Sequence, residues 1–459
     1  MNLLPRICRL APTVLVGTVA FAASIASAGE LAGTAVAADS APPISATVEI
    51  QSRRLEEAGN YDGAIALLRR SLGESDEAAR CELLARIARL HRRLGQTSDA
   101  VAIYRELLAK VPATDDAETS SADDHGDAAT EKAWRHFELA ALLREQQAYA
   151  EAGEHFAAAA VTEPTGLLAM EASYWLAWLD RQADRREAGR QRTGELLARL
   201  DATPGAEETV ARRRELRQFT LYLQSQLELA DRDEQAAAAT LDRLRAERPG
   251  DPLRAQAEFW RAEIAYRQGE DELARELFGQ VALRTAALKE PWTALAPLRL
   301  AQLEAARLRW DDVLVALDWL EWRWPQFPLA YEANYLRGRA LAGRGEFPAA
   351  RGAYRQVLDD PAAQGSETAA MAQWMIGESY FHQRAYAEAR VAYQQAVDGH
   401  RHAEWQARAA LQCGKCWELE GRWQEAAQVY ADAARRFART ESATQLQARS
   451  AFVEQTLRR

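Results

Sequence analysis

The sequence predicts an all-α fold, a right-handed α-solenoid of about ten helix–turn–helix units with a C-terminal capping helix. Three observations point there. The composition is rich in Ala, Arg, Glu and Leu and poor in Gly and Pro, and such side chains lose little rotamer freedom in a helix. A small residue recurs with a second small residue twelve positions on and an aromatic four later, the kind of fixed period that marks a repeat array. Polar turns, several carrying Gly, divide each recurrence into two helices.

The elements follow in order. Residues 1–28 read as a signal peptide: Arg6 and Arg9 precede an apolar stretch from Leu10 to Ile25, and Ala26-Ser27-Ala28 offers a small-x-small cleavage site. The chain is therefore expected in the periplasm or outside the cell. Residues 29–45 are small, polar and Pro-containing, and are expected to form a flexible leader. No comparable apolar run follows, so no transmembrane segment is expected in the mature chain. The net charge of −10 argues against nucleic acid as a partner, and Arg212, Arg213 and Arg214 read as a solvated helix face.

Units 1 and 2 are expected over 46–112, an acidic flexible insertion over 113–131, units 3 to 10 over 132–437, and the capping helix over 438–459. Six copies keep both spacings: Ala88, Ala100, Tyr104; Ala140, Ala152, Phe156; Ala262, Ala274, Phe278; Gly338, Ala350, Tyr354; Gly377, Ala389, Tyr393; and Gly414, Ala426, Tyr430. The two helices of a unit form an antiparallel hairpin. Where their backbones approach most closely, only Gly or Ala fits. The aromatic lies one turn beyond the second small residue on the same face, and fills the wedge between helices. Weaker copies involve Gly59, Tyr61 and Ala64, and Trp310, Val313 and Leu317, with two degenerate units near Ala188 and Ala236. The insertion carries Asp115, Asp116, Glu118, Asp123, Asp124 and Asp127 in no known cation-loop spacing.

These positions, with Pro112, Pro164, Pro249 and Pro325 at unit ends, resemble the tetratricopeptide repeat family. Most units run 37 to 39 residues, beyond the family's usual length of about 34. Their style resembles the repeats of bacterial envelope proteins such as the outer-membrane β-barrel assembly lipoprotein and the Tol-Pal-associated cell-division coordinator. The lipobox of the first and the N-terminal coiled coil of the second are absent. The resemblance implies a compartment and a binding role, and names no partner.

No catalytic constellation, cofactor or metal site is expected, and the chain reads as a non-enzyme. Cys413-Gly414-Lys415-Cys416 falls mid-helix with no strand before it and reads as two small packing residues, with a local disulfide or a redox role as the alternative. His400-Arg401-His402 lacks a third ligand. Trp310, Trp319, Trp322 and Trp324 crowd one unit, as packing or as a contact platform.

The first helix of each unit, helix A, is expected to line a concave groove, with positions three before and one and four after its small residue exposed. That puts Phe259, Tyr335 and Trp374 in one row, with Tyr266 and Phe381 beside it and Arg339 and Lys415 on the same surface. Such a stripe suits an extended protein segment of the cell envelope, with a glycan or peptidoglycan strand as the alternative.

Overall fold

The computed structural model describes residues 46–109, 122–162, 166–202, 209–286 and 290–458. The expected signal peptide and leader lie outside the described residues. Twenty-one α-helices and no strand occur among the described residues, as the repeat pattern predicts. The chain divides into two compact units between Ala257 and Glu258.

The N-terminal unit holds five hairpins: α1 (Ala46–Glu57) with α2 (Tyr61–Ser71), α3 (Glu77–Arg93) with α4 (Thr97–Ala109), α5 (Ala122–Glu145) with α6 (Tyr149–Thr162), α7 (Leu167–Gln182) with α8 (Arg186–Ala202), and α9 (Val210–Ala230) with α10 (Glu234–Ala246). The division falls inside α11 (Asp251–Gln268), which pairs with α12 (Asp271–Arg284). The C-terminal unit continues with α13 (Leu295–Ala306) and α14 (Trp310–Arg323), α15 (Ala330–Gly343) and α16 (Phe347–Asp359), α17 (Glu367–His382) and α18 (Tyr386–Gly399), α19 (Ala403–Leu419) and α20 (Trp423–Arg436), and closes with α21 (Ala443–Leu457). Ten hairpins and a cap are thus present. α21 buries Leu446 and Val453 against the cluster of Tyr430, Ala433 and Phe437, covering the last apolar face.

The packing rule holds at atomic detail. All six predicted small–small–aromatic triads are buried, with the helix B aromatics at most 1% exposed. A Cβ placed on Gly338, Gly377 or Gly414 would run into the ring of Tyr354, Tyr393 or Tyr430 respectively. The same positions in weaker units are Ser52, Ala64 and Leu68; Ser225, Ala237 and Leu241; and Ala301, Val313 and Leu317, all at most 1% exposed. In the fourth hairpin Ala177, Gly189 and Thr193 are buried. The degenerate units therefore register on Gly189 and Ala237, one residue past the Ala188 and Ala236 of the sequence reading, because those neighbours point out of the hairpin.

Every A–B turn places one residue in the left-handed region. Five are glycines: Gly59, Gly95, Gly269, Gly345 and Gly421. Five are not: Gln147, Asp184, Arg232, Leu308 and Arg384. In each turn the next residue's N–H returns to a helix A carbonyl five residues back, as Arg309 does to Glu304 at 3.0 Å and Ala385 to Tyr380 at 3.0 Å. This satisfies carbonyls the helix end would otherwise leave open.

One boundary needs correction. The stretch 113–131, expected as a flexible insertion, is helical from Ala122 onward, where α5 begins. Its part from 113 to 121 lies outside the described residues.

Candidate partner-binding face

The seven residues assigned to the groove all lie in the C-terminal unit, and they separate into two groups. Phe259, Tyr266 and Tyr335 are buried, at 2%, 7% and 8% exposure. Their assignment to a ligand surface is corrected: they are core. Phe259 packs edge-on against Phe278 at 5.9 Å and Trp292 at 5.6 Å, and Tyr335 leans on Tyr354 at 6.0 Å. The reason is helical geometry. A residue three before the small position shares its face, which brings Phe259 and Tyr335 against the helix B aromatics, and Trp292 closes over Phe259. Tyr266 is covered by the Arg299 guanidinium at 5.1 Å.

Trp374, Phe381, Arg339 and Lys415 remain half-buried on successive A helices. Trp374 lies against Trp405 at 5.6 Å, and its indole N–H finds no acceptor among the described residues. Phe381 packs against Tyr386 at 5.6 Å. Arg339 stacks over Trp310 at 6.0 Å, on the ring that also fills the space above Gly343. Helices A of successive hairpins touch one another along this unit: α13 with α15, α15 with α17, α17 with α19, and α19 with α21. They form one layer of the unit, and these side chains stand on its helices.

Sequence reasoning missed a polar ladder on the same face. Glu378 accepts hydrogen bonds from the Tyr393 hydroxyl at 2.6 Å and from Gln412 Nε2 at 2.6 Å. Glu418 accepts from the Tyr430 hydroxyl and is held by Arg449 of the capping helix at 3.1 Å. Burial, with the neighbouring carboxylate, pushes both phenols up. Tyr354 occupies the equivalent place in the α15–α16 hairpin, but the residue matching Glu378 there is Arg339, which offers no acceptor. The fully buried Tyr354 hydroxyl finds no partner among the described residues. Further along, Glu263 and Arg299 form a buried pair at 2.6 Å, with Arg299 also donating to Gln302 at 2.8 Å.

The remaining motifs settle as follows. Cys413 and Cys416 are free and buried, and burial raises their thiols to about 11 and about 12, which keeps both protonated and unreactive. His402 Nε2 sits 3.1 Å from the Gly365 carbonyl. Trp319 packs edge-on with Trp324 at 5.2 Å, while Trp322 is 77% exposed on the outer side of α14. In the N-terminal unit, Arg212 binds Glu171 at 2.6 Å and Arg214 donates to the Glu247 carbonyl at 2.6 Å. This basic run is structural rather than merely solvated, and it borders a cavity of about 400 Å³ lined also by Leu200, Val210, Arg217 and Arg248. Among the described residues no group of three or more His, Cys, Asp or Glu side chains could hold a metal ion, and no helix is long and apolar enough to cross a membrane.

Comparison with known proteins bears on this architecture. Residues 208–376 match the family described as tetratricopeptide repeat-like domain, and residues 83–114 and 371–400 match the tetratricopeptide repeat family. These are tetratricopeptide repeats. The tetratricopeptide array is similar in structure to the apo form of RapI, with 8% identity, a TM-score of 0.48 and coverage of 90% of this chain and 98% of that one. It is similar also to the apo form of the quorum sensor NprR from B. thuringiensis, with 10% identity, a TM-score of 0.42 and coverage of 62% and 79%. Yeast Tom70 matches with 10% identity, a TM-score of 0.34 and coverage of 90% and 96%. No curated protein matches this chain.

Proposed function

We propose that this tetratricopeptide protein is a non-catalytic scaffold of the bacterial cell envelope, which takes a protein segment along the helix A face of its C-terminal unit. The fold class supports an interaction scaffold, because stacked hairpins present many small contacts on a preformed surface. The observation that carries the finer reading is that Arg339, Trp374, Phe381 and Lys415 stay half-buried on A helices of the C-terminal unit that touch one another. A peptide carboxylate would face the half-buried Arg339 guanidinium, with Phe381 and Trp374 offering apolar contact further along. The envelope assignment rests on the signal-peptide pattern at 1–28.

The test places a photo-crosslinking amino acid at Phe381 and, as a control, at Trp322 on the outer side, in cells producing the native chain. A discrete protein adduct is expected at Phe381 alone, lost on Arg339→Ala. Adducts to glycan strands, or equal yields at both positions, would reject a protein segment on this face. N-terminal sequencing of the mature chain checks the compartment: a start at Met1 would remove the envelope reading.

A further inference from the structure

Two arginines of the N-terminal unit hold the same repeat position and meet opposite surroundings. Arg92 stands four residues after the small Ala88 of α3, and Arg144 four after Ala140 of α5. Arg92 donates to Glu138 at 3.0 Å and to Glu145 at 2.6 Å, both on the next A helix, α5. The same two places on α7, counted from its small residue Ala177, hold Trp175 and Gln182. Arg144 therefore reaches the next hairpin and finds a ring where Arg92 finds a carboxylate. Its guanidinium lies 4.1 Å from the Trp175 centroid and 5.9 Å from that of Trp178.

This cation is 9% exposed. Its Nε is enclosed and has no acceptor among the described residues. The carboxylate nearest to it, Glu145, stands 3.9 Å away and is held by Arg92. A desolvated guanidinium without a hydrogen-bonded anion is costly. Two donors join it from α7, a helix that touches α5. Arg181 is half-buried and lies seven residues beyond Tyr174, on the same helix face. Burial pushes the Tyr174 phenol up, while Arg144 and Arg181 both draw it down from close by. The hydroxyl thus keeps its proton beside two positive charges. Trp178 and Tyr149, edge-on at 5.8 Å, add partly exposed apolar surface next to the guanidinium.

We propose that Arg144, Arg181 and the Tyr174 hydroxyl form a receptor for a carboxylate carried by a partner polypeptide, on an acidic side chain or at its C-terminus. With Trp175 against one face of the Arg144 guanidinium, its edge is what a ligand can engage, and a planar carboxylate matches that edge with two parallel hydrogen bonds. The bound carboxylate would stand in for the acceptors that Glu138 and Glu145 give Arg92. The site lies in the N-terminal unit and rests on none of the observations behind the function proposed above.

The test uses the full-length chain with Arg339→Ala, which removes the cation of the C-terminal face. It is immobilised and offered three pools of random octapeptides. The first lacks Asp and Glu and has a free C-terminus, the second contains them and is amidated, and the third lacks them and is amidated. Enrichment of the first or second pool over the third is expected, and the pool enriched tells terminus from side chain. Arg144→Met and Arg181→Met should each weaken that binding by about tenfold or more. In the chain without peptide, Arg144→Met should leave the unfolding constant unchanged or lower it, since methionine keeps contact with Trp175. Arg92→Met, which strands the buried Glu138, should raise it about a hundredfold or more. Equal capture of all three pools, no capture at all, or binding untouched by Arg144→Met would overturn the proposal. Destabilisation by Arg144→Met equal to that by Arg92→Met would overturn it too, by making Arg144 a structural cation.

Discussion

Replacing Gly377 by Ala tests the packing rule at its tightest point. A methyl group there would meet the Tyr393 ring at Cε1 and Cδ1, inside any real contact distance, and Cγ at 3.0 Å. The ring cannot swing aside, because it is fully buried and its hydroxyl is tied to Glu378 at 2.6 Å. Overpacking of this kind costs about 1–3 kcal/mol. Alanine returns about 0.8–1.0 kcal/mol in helix propensity. The expected net effect is a loss of about 1–2 kcal/mol. Gly352 supplies the control: it is exposed in α16 and a Cβ there meets nothing within 4 Å, so Gly352→Ala should stabilise by about 0.4–1 kcal/mol. Urea unfolding followed by circular dichroism reads the total, and hydrogen exchange in α17 and α18 localises it, since repeat arrays open by segments. In a Tyr393→Leu background the penalty of Gly377→Ala should vanish, because Leu317 and Leu68 already occupy that position in other hairpins. Gly377→Ala melting at or above wild type, or a penalty undiminished in the Tyr393→Leu background, would refute the reasoning.

Four further outcomes follow from the same structure. Leu308→Gly should stabilise by about 1 kcal/mol, since Leu308 holds a φ of 59° where a side chain is strained, and a lower melting temperature would contradict it. Arg299→Ala should cost about 3–5 kcal/mol by stranding the buried Glu263 carboxylate, and denaturant unfolding measures this. Tyr354→Phe should be neutral or slightly stabilising without a partner, while Tyr393→Phe should cost about 1–2 kcal/mol, because only the second hydroxyl has an acceptor to lose; equal effects would contradict the incomplete ladder. Cys413 and Cys416, with thiols raised to about 11 and about 12, should resist alkylation in the native chain below about pH 10 and react on unfolding; rapid native labelling would place them at the surface.

Much of this architecture was readable from one dimension. The number of hairpins and the register of the six strong copies follow from a rule that acts locally. Two helix backbones that touch need small residues at the crossing, and the gap beyond needs a ring, so Gly377, Ala389 and Tyr393 announce a hairpin wherever their spacings recur. The five turns built on Gln147, Asp184, Arg232, Leu308 and Arg384 carry no such mark, because the hairpin imposes the left-handed conformation on whichever residue stands there.

What faced solvent was decided in three dimensions. Phe259 and Tyr335 occupy the same repeat position as Trp374, yet the first two are buried and the third is half open. How far such a ring is covered depends on what the next hairpin sets against it: Trp292 over Phe259, Trp405 beside Trp374. Arg92 and Arg144 likewise share a repeat position, and the next hairpin decides that the first meets two carboxylates and the second a tryptophan ring. Spacing along the chain determined which residues share a helix face. Only the packing of one hairpin on the next decided which of those faces stayed in contact with water.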